Sequence, residues 1–281
     1  MEGQVFRIKT TDSNGNPEES PNNWTKAVFF NPNVASGDHQ HINTALSVAK
    51  DDEGRIWVYF GTGRFWSSLD RQSPYFSYQN AFYGIKEPVD ADNNLTYATV
   101  SKSEVRNVTG IEIEDFDTIS GGTPAVTDQD GDGNINFDDL LAEIQGKAGW
   151  YREFSTTGER NLGQATILGD IVTFSTFIPN NDLCSYEGTS NLYGLYYKTG
   201  TAYWKGVLIT EDFPSGIDYN DKIIYKIEVG KGYSTTPNLH TGKNEGSKAF
   251  LQTSTGAIIG IKQTNPGVAK SGGVYWREVL Q

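Results

Sequence analysis

Short runs of aromatic and β-branched residues, four to eight long, recur along the whole chain, each ending in a Gly- or Asn-rich break. They fall at residues 5–8, 27–30, 45–48, 55–60, 81–85, 165–168, 170–177, 191–197, 222–227, 249–253 and 257–262. Runs of this length with such dense punctuation predict strands rather than helices. The breaks Asp52-Glu-Gly, Leu168-Gly-Asp and Thr199-Gly-Thr have hairpin chemistry, because Gly and Asp tolerate the backbone of a tight reversal. One stretch departs from the pattern. Apolar residues at 140, 141 and 144, with Ala142 and Glu143 between them, predict a single short helix over 138–145 that stops near Gly146.

Strand–turn–strand units repeat weakly. Residues 191–204 read as a strand, a Thr-Gly turn and a strand ending in Trp204; residues 248–261 and 55–66 give further versions. Residues 3–8 read as the second half of such a unit. Repeated antiparallel hairpins with Gly and aromatic punctuation predict propeller blades. The expected fold is therefore all-β: a modified or partial β-propeller of antiparallel blades, one region over 1–281, with an insertion at 111–149 that carries an acidic loop and the helix. At roughly 40–50 residues per blade the chain makes about four or five blades, few for a ring that closes alone.

Composition agrees with that frame. Aromatics are 12% of the 281 residues and there are 31 Gly, so aromatic burial and frequent turns replace an aliphatic core. A single Cys excludes a disulfide framework within the chain. No apolar run reaches the ~18 residues of a membrane helix. Glu2, Arg7 and Lys9 break any apolar core at the amino end, which reads as a strand and not as a signal peptide. Net charge is −12, and nine of the acids lie between Glu112 and Asp139 with no Lys or Arg among them. So local an excess points to a cation site, and it argues against a nucleic-acid partner.

The strongest chemical signal lies in that window. Counting Asp128 as the first position, carboxylates stand at the first, third and fifth (Asp128, Asp130, Asp132), and Gly133 takes the sixth, where the loop must turn sharply. Asn134 offers a backbone carbonyl, Ile135 is the apolar residue expected to pin the loop, Asn136 binds directly or through water, and Asp139 closes the shell from the helix. This is the spacing of an EF-hand loop, with Asp in place of the usual Glu at the twelfth position. Oxygen-only ligands on a flexible loop select a hard cation, and six or more of them suit Ca2+ better than Mg2+. The bland reading is a solvated acidic turn with Asp138 as helix N-cap. A dockerin needs two such loops, and only one is present.

Other signals are weaker. Cys184 reads as a half-buried or widowed thiol rather than a nucleophile. His39 and His41 share a face if they lie on a strand, but a zinc site would need His240 as well. The glycines of residues 60–64 and 230–234 lack P-loop spacing and read as tight turns. Trp57, Trp66, Trp204 and Trp276 are expected to pack between sheets. No catalytic triad, acid pair or nucleotide fingerprint stands out, and the chain is not expected to be an enzyme.

Several segments, in order, resemble the carboxyl-terminal region of the PilY family of type IV pilus tip and assembly proteins. They are WVYFGTGRF at 57–65, QNAFYGI at 79–85, GER at 158–160, IVTFSTFIP at 171–179, DLCSYEGTSNLYGL at 182–195, QTSTG at 252–256 and VYWREVL at 274–280. The resemblance implies a modified propeller displayed outside the cell, at the pilus tip or outer surface. It also implies calcium occupancy that influences pilus extension and retraction, adhesion to host or abiotic surfaces, surface motility, and major or minor pilins as partners. The family's loop maps onto Asp128, Asp130, Asp132 and Asn136, with Asp139 supplying a further charge. Family members are longer, with an export signal and a variable amino-terminal domain, so the chain reads as the carboxyl-terminal part of such a protein. An amino-terminal part, or a separate chain, is expected to complete the ring. The rival readings are a quinoprotein-like propeller dehydrogenase, a carbohydrate-binding propeller and a purely structural calcium module.

Overall fold

A computed structural model describes residues 3–12, 15–32, 40–72, 75–180, 188–242 and 246–267. Strands are numbered along the chain. The first sheet joins β1 (Val5–Lys9), β2 (Thr25–Asn31) and β6 (Val100–Ser101), the last pairing in parallel. The second runs β3 (Ser47–Lys50), β4 (Ile56–Gly61), β5 (Ala81–Lys86), β10 (Gly149–Glu153) and β7 (Arg106–Asn107). It is antiparallel except for β10 against β7. The third, antiparallel throughout, is β11 (Thr166–Leu168), β12 (Ile171–Ile178), β13 (Thr189–Tyr196) and β15 (Lys226–Lys231). The fourth is β14 (Leu208–Ile209), β18 (Ile258–Gln263), β17 (Gly246–Gln252) and β16 (Asn238–Gly242). A separate ribbon, β8 (Ile111–Ile113) with β9 (Ile119–Gly121), precedes helix α1 (Phe137–Gln145).

The sheets pack face to face, and strand alternation decides which core each side chain enters. Trp57, Tyr59 and Phe82 point toward the third sheet and meet Phe174 and Tyr193, while Val58, Phe60 and Tyr83 point toward the first and meet Phe29 and Phe30. Likewise Val172, Tyr193 and Leu195 face the second sheet, whereas Ile171 and Leu192 face Leu208, Ala249 and Leu251 of the fourth. With both faces covered, β4, β5, β12 and β13 are buried almost throughout; β4 and β5 are nearly all apolar, while β12 and β13 also bury Thr173, Ser175, Thr176, Ser190 and Asn191, each with a hydrogen-bond partner. Phe82 stacks on Phe174 at 3.8 Å and Phe174 on Tyr193 at 5.0 Å, linking two sheets through their rings. Trp150, wholly buried, lies between Gly84 and Gly200; a Cβ on either would come within 2.5 Å of the indole.

Five reversals share one construction. In each, a first-position side-chain oxygen accepts the fifth residue's N–H, at 2.8–3.2 Å: Asp12 from Asn16, Asp51 from Arg55, Asp90 from Asn94, Asp218 from Lys222 and Thr253 from Ala257. The fourth residue is left-handed: Gly15, Gly54, Asn93, Asp221 and Gly256, with φ between +60° and +92°. The carboxylate or hydroxyl thus replaces a missing backbone partner and sets the register of the flanking strands.

The expected repeat units form only in part. Residues 248–261 make the β17–β18 hairpin. After the Thr-Gly turn at 199–200, residues 201–204 form no strand, because β13 pairs with β12 and β15 and Gly200 is committed to the indole of Trp150. After β4, residues 62–66 lead into a 3-10 turn, Ser68–Arg71. Lys222 and Ile223 close the Asp218 reversal, so β15 starts at Lys226, later than the apolar run. Trp57 is buried as expected, but Trp66 and Trp204 lie on the surface. Trp276, His39, Cys184 and residues 274–280 fall outside the described residues.

Candidate metal centre

Residues 108–148 leave the second sheet after β7 and return to it at β10, the neighbouring strand. This excursion carries the ribbon, the acidic loop and α1. The loop is shaped by its own carboxylates. Asp128 accepts the N–H of Gly131 at 2.6 Å and of Gly133 at 2.9 Å, and both glycines are left-handed, with φ of +79° and +86°. These donors hold the Asp128 carboxyl below the usual range, Gly133 first and then Gly131. Asp130 accepts from Asp132 N (3.1 Å) and Asp132 from Asn134 N (2.7 Å). Ile135 pins the loop through its backbone, its carbonyl accepting from Ile119 N at 3.3 Å; its side chain stays 39% exposed.

Asn136, not Asp138, is the N-cap of α1. Its Oδ1 accepts the N–H groups of Asp138 (2.9 Å) and Asp139 (3.2 Å), and Asp139 answers by accepting Asn136 N at 2.9 Å. This reciprocal cap satisfies orphan donors, and acids in the first turn suit the positive end of the helix. The other oxygen of Asp139 accepts Gln129 N at 2.7 Å, so one buried carboxylate joins the start of the loop to the start of the helix. Phe137, Leu140 and Ile144 then seat the helix in the main core.

Of the six residues expected to ligate, the structure brings Asp128, Asp130 and Asp139 together, one oxygen of each lying within 4.8 Å of the others. That span suits oxygens placed around one cation at about 2.3–2.6 Å. Asp132 stands outside the group, and Asn136 has its amide oxygen turned onto the helix. Each Asp139 oxygen keeps a lone pair beyond its backbone hydrogen bond, so capping and ligation are compatible. If a cation binds here, Asp128, Asp130 and Asp139 are the residues that hold it, and it supplies the positive charge their cluster lacks. Asp117 escaped the sequence reading. It accepts Phe137 N at 3.3 Å, and burial, reinforced by Asp138 and Asp139, pushes its carboxyl up.

At the other end of α1, Lys86 donates to the carbonyls of Ile144 (3.0 Å) and Gln145 (2.8 Å). It lines a cleft of about 200 Å³ with Asp51, Asp52, Trp57 and Lys198. Burial, with Arg55 nearby, pulls its ammonium down to about 8. Between about pH 8 and the ordinary lysine value of 10.5 the unfolded chain holds a proton that the folded chain has shed, so this site's contribution to stability rises with pH there. The helix carbonyls and residual solvent reduce the effect to about 1–2 kcal/mol. Urea unfolding at pH 7 and pH 10 should show the native chain gaining that much relative to Lys86→Met; parallel profiles would contradict it.

The GER segment is structural. Glu159 is fully buried and accepts from Thr176, Asn191, Tyr193 and Lys226. Arg160 donates to the carbonyls of Gly158, Arg64 and Asp70. His41 packs on Trp66, and His240 lies in β16 opposite Lys248. Neither joins a metal-ligating group among the described residues.

Fold and loop together define a class: stacked, mainly antiparallel sheets with one helix, capped by an acidic loop inserted into one sheet. The same architecture occurs in the crystal structure of the Pseudomonas aeruginosa PilY1 C-terminal domain, with a TM-score of 0.60 and 18% sequence identity over 95% of this chain and 56% of that one. A type IV pilus biogenesis factor PilY1 homolog from Xylella fastidiosa is 25% identical over 271 residues, 93% of this chain and 20% of that protein. The resemblance to the carboxyl-terminal region of the PilY family thus holds along the sequence and in the fold. The chain spans about a fifth of that curated relative. No protein-family model matches it. Among the described residues, no helix is long and apolar enough to cross a membrane.

Proposed function

We propose that the chain is a non-enzymatic, calcium-binding part of a PilY-like component of the type IV pilus machinery, displayed at the pilus tip or outer cell surface. Its stacked sheets act as blades of a modified propeller, completed by an amino-terminal part or a separate chain, and residues 111–149 form the insertion that carries the switch. Its partners are pilins, and through the tip a host or abiotic surface. The observation that carries the calcium reading is the convergence of Asp128, Asp130 and Asp139 on EF-hand spacing. Similarity to PilY1 proteins supports the pilus reading. An ion there offsets the loop's repulsion and stiffens the start of α1, whose far end is held by Lys86 on β5. External calcium is thereby coupled to the second sheet, and through it to pilus extension, retraction and motility.

Asp130 tests this cleanly, because it is exposed and its carboxylate bonds within the loop, accepting Asp132 N–H. In titration calorimetry Asp130→Ala should bind calcium at least about 10-fold more weakly with unchanged melting. In cells the same substitution should alter surface piliation and twitching. Native affinity in the variant would remove the loop from the mechanism; normal affinity loss with normal piliation would leave the ion structural.

A further inference from the structure

We propose that two aromatic-tipped turns beside the acidic loop form a docking surface for a basic protein partner with an apolar anchor. The reading goes beyond cation binding and stands without it. Phe116 is 90% exposed and Tyr219 86%. Phe116 tips the ribbon between β8 and β9, and Tyr219 tips the reversal at 218–222. The two turns are one surface, because Asp115 N donates to Asp221 O at 2.7 Å and Glu114 pairs with Lys222. Phe213 extends it, its ring meeting that of Tyr219 edge to face at 4.9 Å.

Neither folding nor backbone preference accounts for Phe116. Its ring is not in any core, and its φ of +63° is a conformation bulky side chains avoid and Gly adopts freely. An exposed aromatic kept in a strained turn is the kind of outlier that points to recognition. Charge fixes the partner's chemistry. Residues 114–118 and 218–222 hold five acids, Glu114, Asp115, Asp117, Asp218 and Asp221, against Lys222 alone, and Glu211 and Asp212 adjoin Phe213. Such a field repels anionic lipid and draws Lys- or Arg-rich protein.

The test places a photoreactive benzoylphenylalanine at position 116, at 219 and, as a control, at Ile258, which is 75% exposed on β18. Irradiation of producing cells should join positions 116 and 219 to one second protein, through peptides that combine Lys or Arg with apolar residues. Raising salt from about 0.15 to 0.5 M should cut the yield several-fold. Phe116→Gly should melt at the native temperature or above, yet lower the yield from position 219 at least tenfold. Adducts only to a second copy of this chain, to lipid or to an acidic peptide would overturn the proposal. So would yields no higher than at position 258, or an unfolded Phe116→Gly, which would make the ring structural.

Discussion

Glu159→Ala should destabilise the chain by about 3–5 kcal/mol, because it removes a fully buried carboxylate that serves three buried donors and a half-buried ammonium. Its Oε1 accepts from Thr176 on β12 and from Asn191 and Tyr193 on β13, and its Oε2 from Lys226 on β15 at 2.9 Å. One carboxylate therefore ties three neighbouring strands of the third sheet. Removing it leaves three buried donors without an acceptor and the Lys226 ammonium without a counter-ion. Glu159→Gln keeps an oxygen for the neutral donors but sets an amide against Lys226, so its loss should be about half. Urea unfolding measures both, and equal slopes would keep the comparison valid. A loss below about 1 kcal/mol for Glu159→Ala would show that the sheet does not depend on this network.

Under the proposed calcium reading, Asp139→Ala should have the largest effect in the loop, weakening calcium affinity at least about 100-fold. It deletes the one buried carboxylate of the group of three and frees both Gln129 N and Asn136 N, so loop and helix start lose their shared anchor. Even without calcium the lost cap should cost about 1–2 kcal/mol. Asp139→Asn separates the two effects, since an amide oxygen can still cap while the charge is gone. Asp138→Ala is the control: its carboxylate lies outside the group of three and its N–H remains bonded to Asn136. Calorimetric titration should find native affinity for Asp138→Ala and almost none for Asp139→Ala. Equal affinities would exclude Asp139 as a ligand.

β4 and β5 were legible because burial on both sides writes continuous apolar runs, and β12 and β13 because aromatic and β-branched residues recur between turn signals. The helix was legible for its spacing and its stop at Gly146. The short strands β7, β8, β9 and β14 were not, since two or three residues carry no period. Nor was the edge strand β16, where Asn238 and His240 interrupt the hydrophobic signal. In the loop, spacing set out the whole oxygen series, but not that Asp128, Asp130 and Asp139 form the close group while the Asp132 and Asn136 oxygens accept backbone N–H groups, because side-chain direction depends on which donors compete for the oxygens. Glu159 was legible only as part of a resemblance. A buried charge is defined by partners 17, 32, 34 and 67 residues away, beyond any local pattern.

The shared hairpin construction separates what reverses the chain from what the reversal displays. Its first and fourth positions do the folding, which leaves the second and third to other tasks; in the 253–257 turn Ser254 accepts Tyr233 N–H and Thr255 donates to the Lys231 carbonyl. Asp52 and Glu53 use that liberty to edge the cleft beside Lys86, and Tyr219 uses it at the aromatic tip. Sequence drift at such places alters the molecule's outward vocabulary while leaving strand register intact, so close relatives can diverge in what they grasp long before they diverge in how they fold.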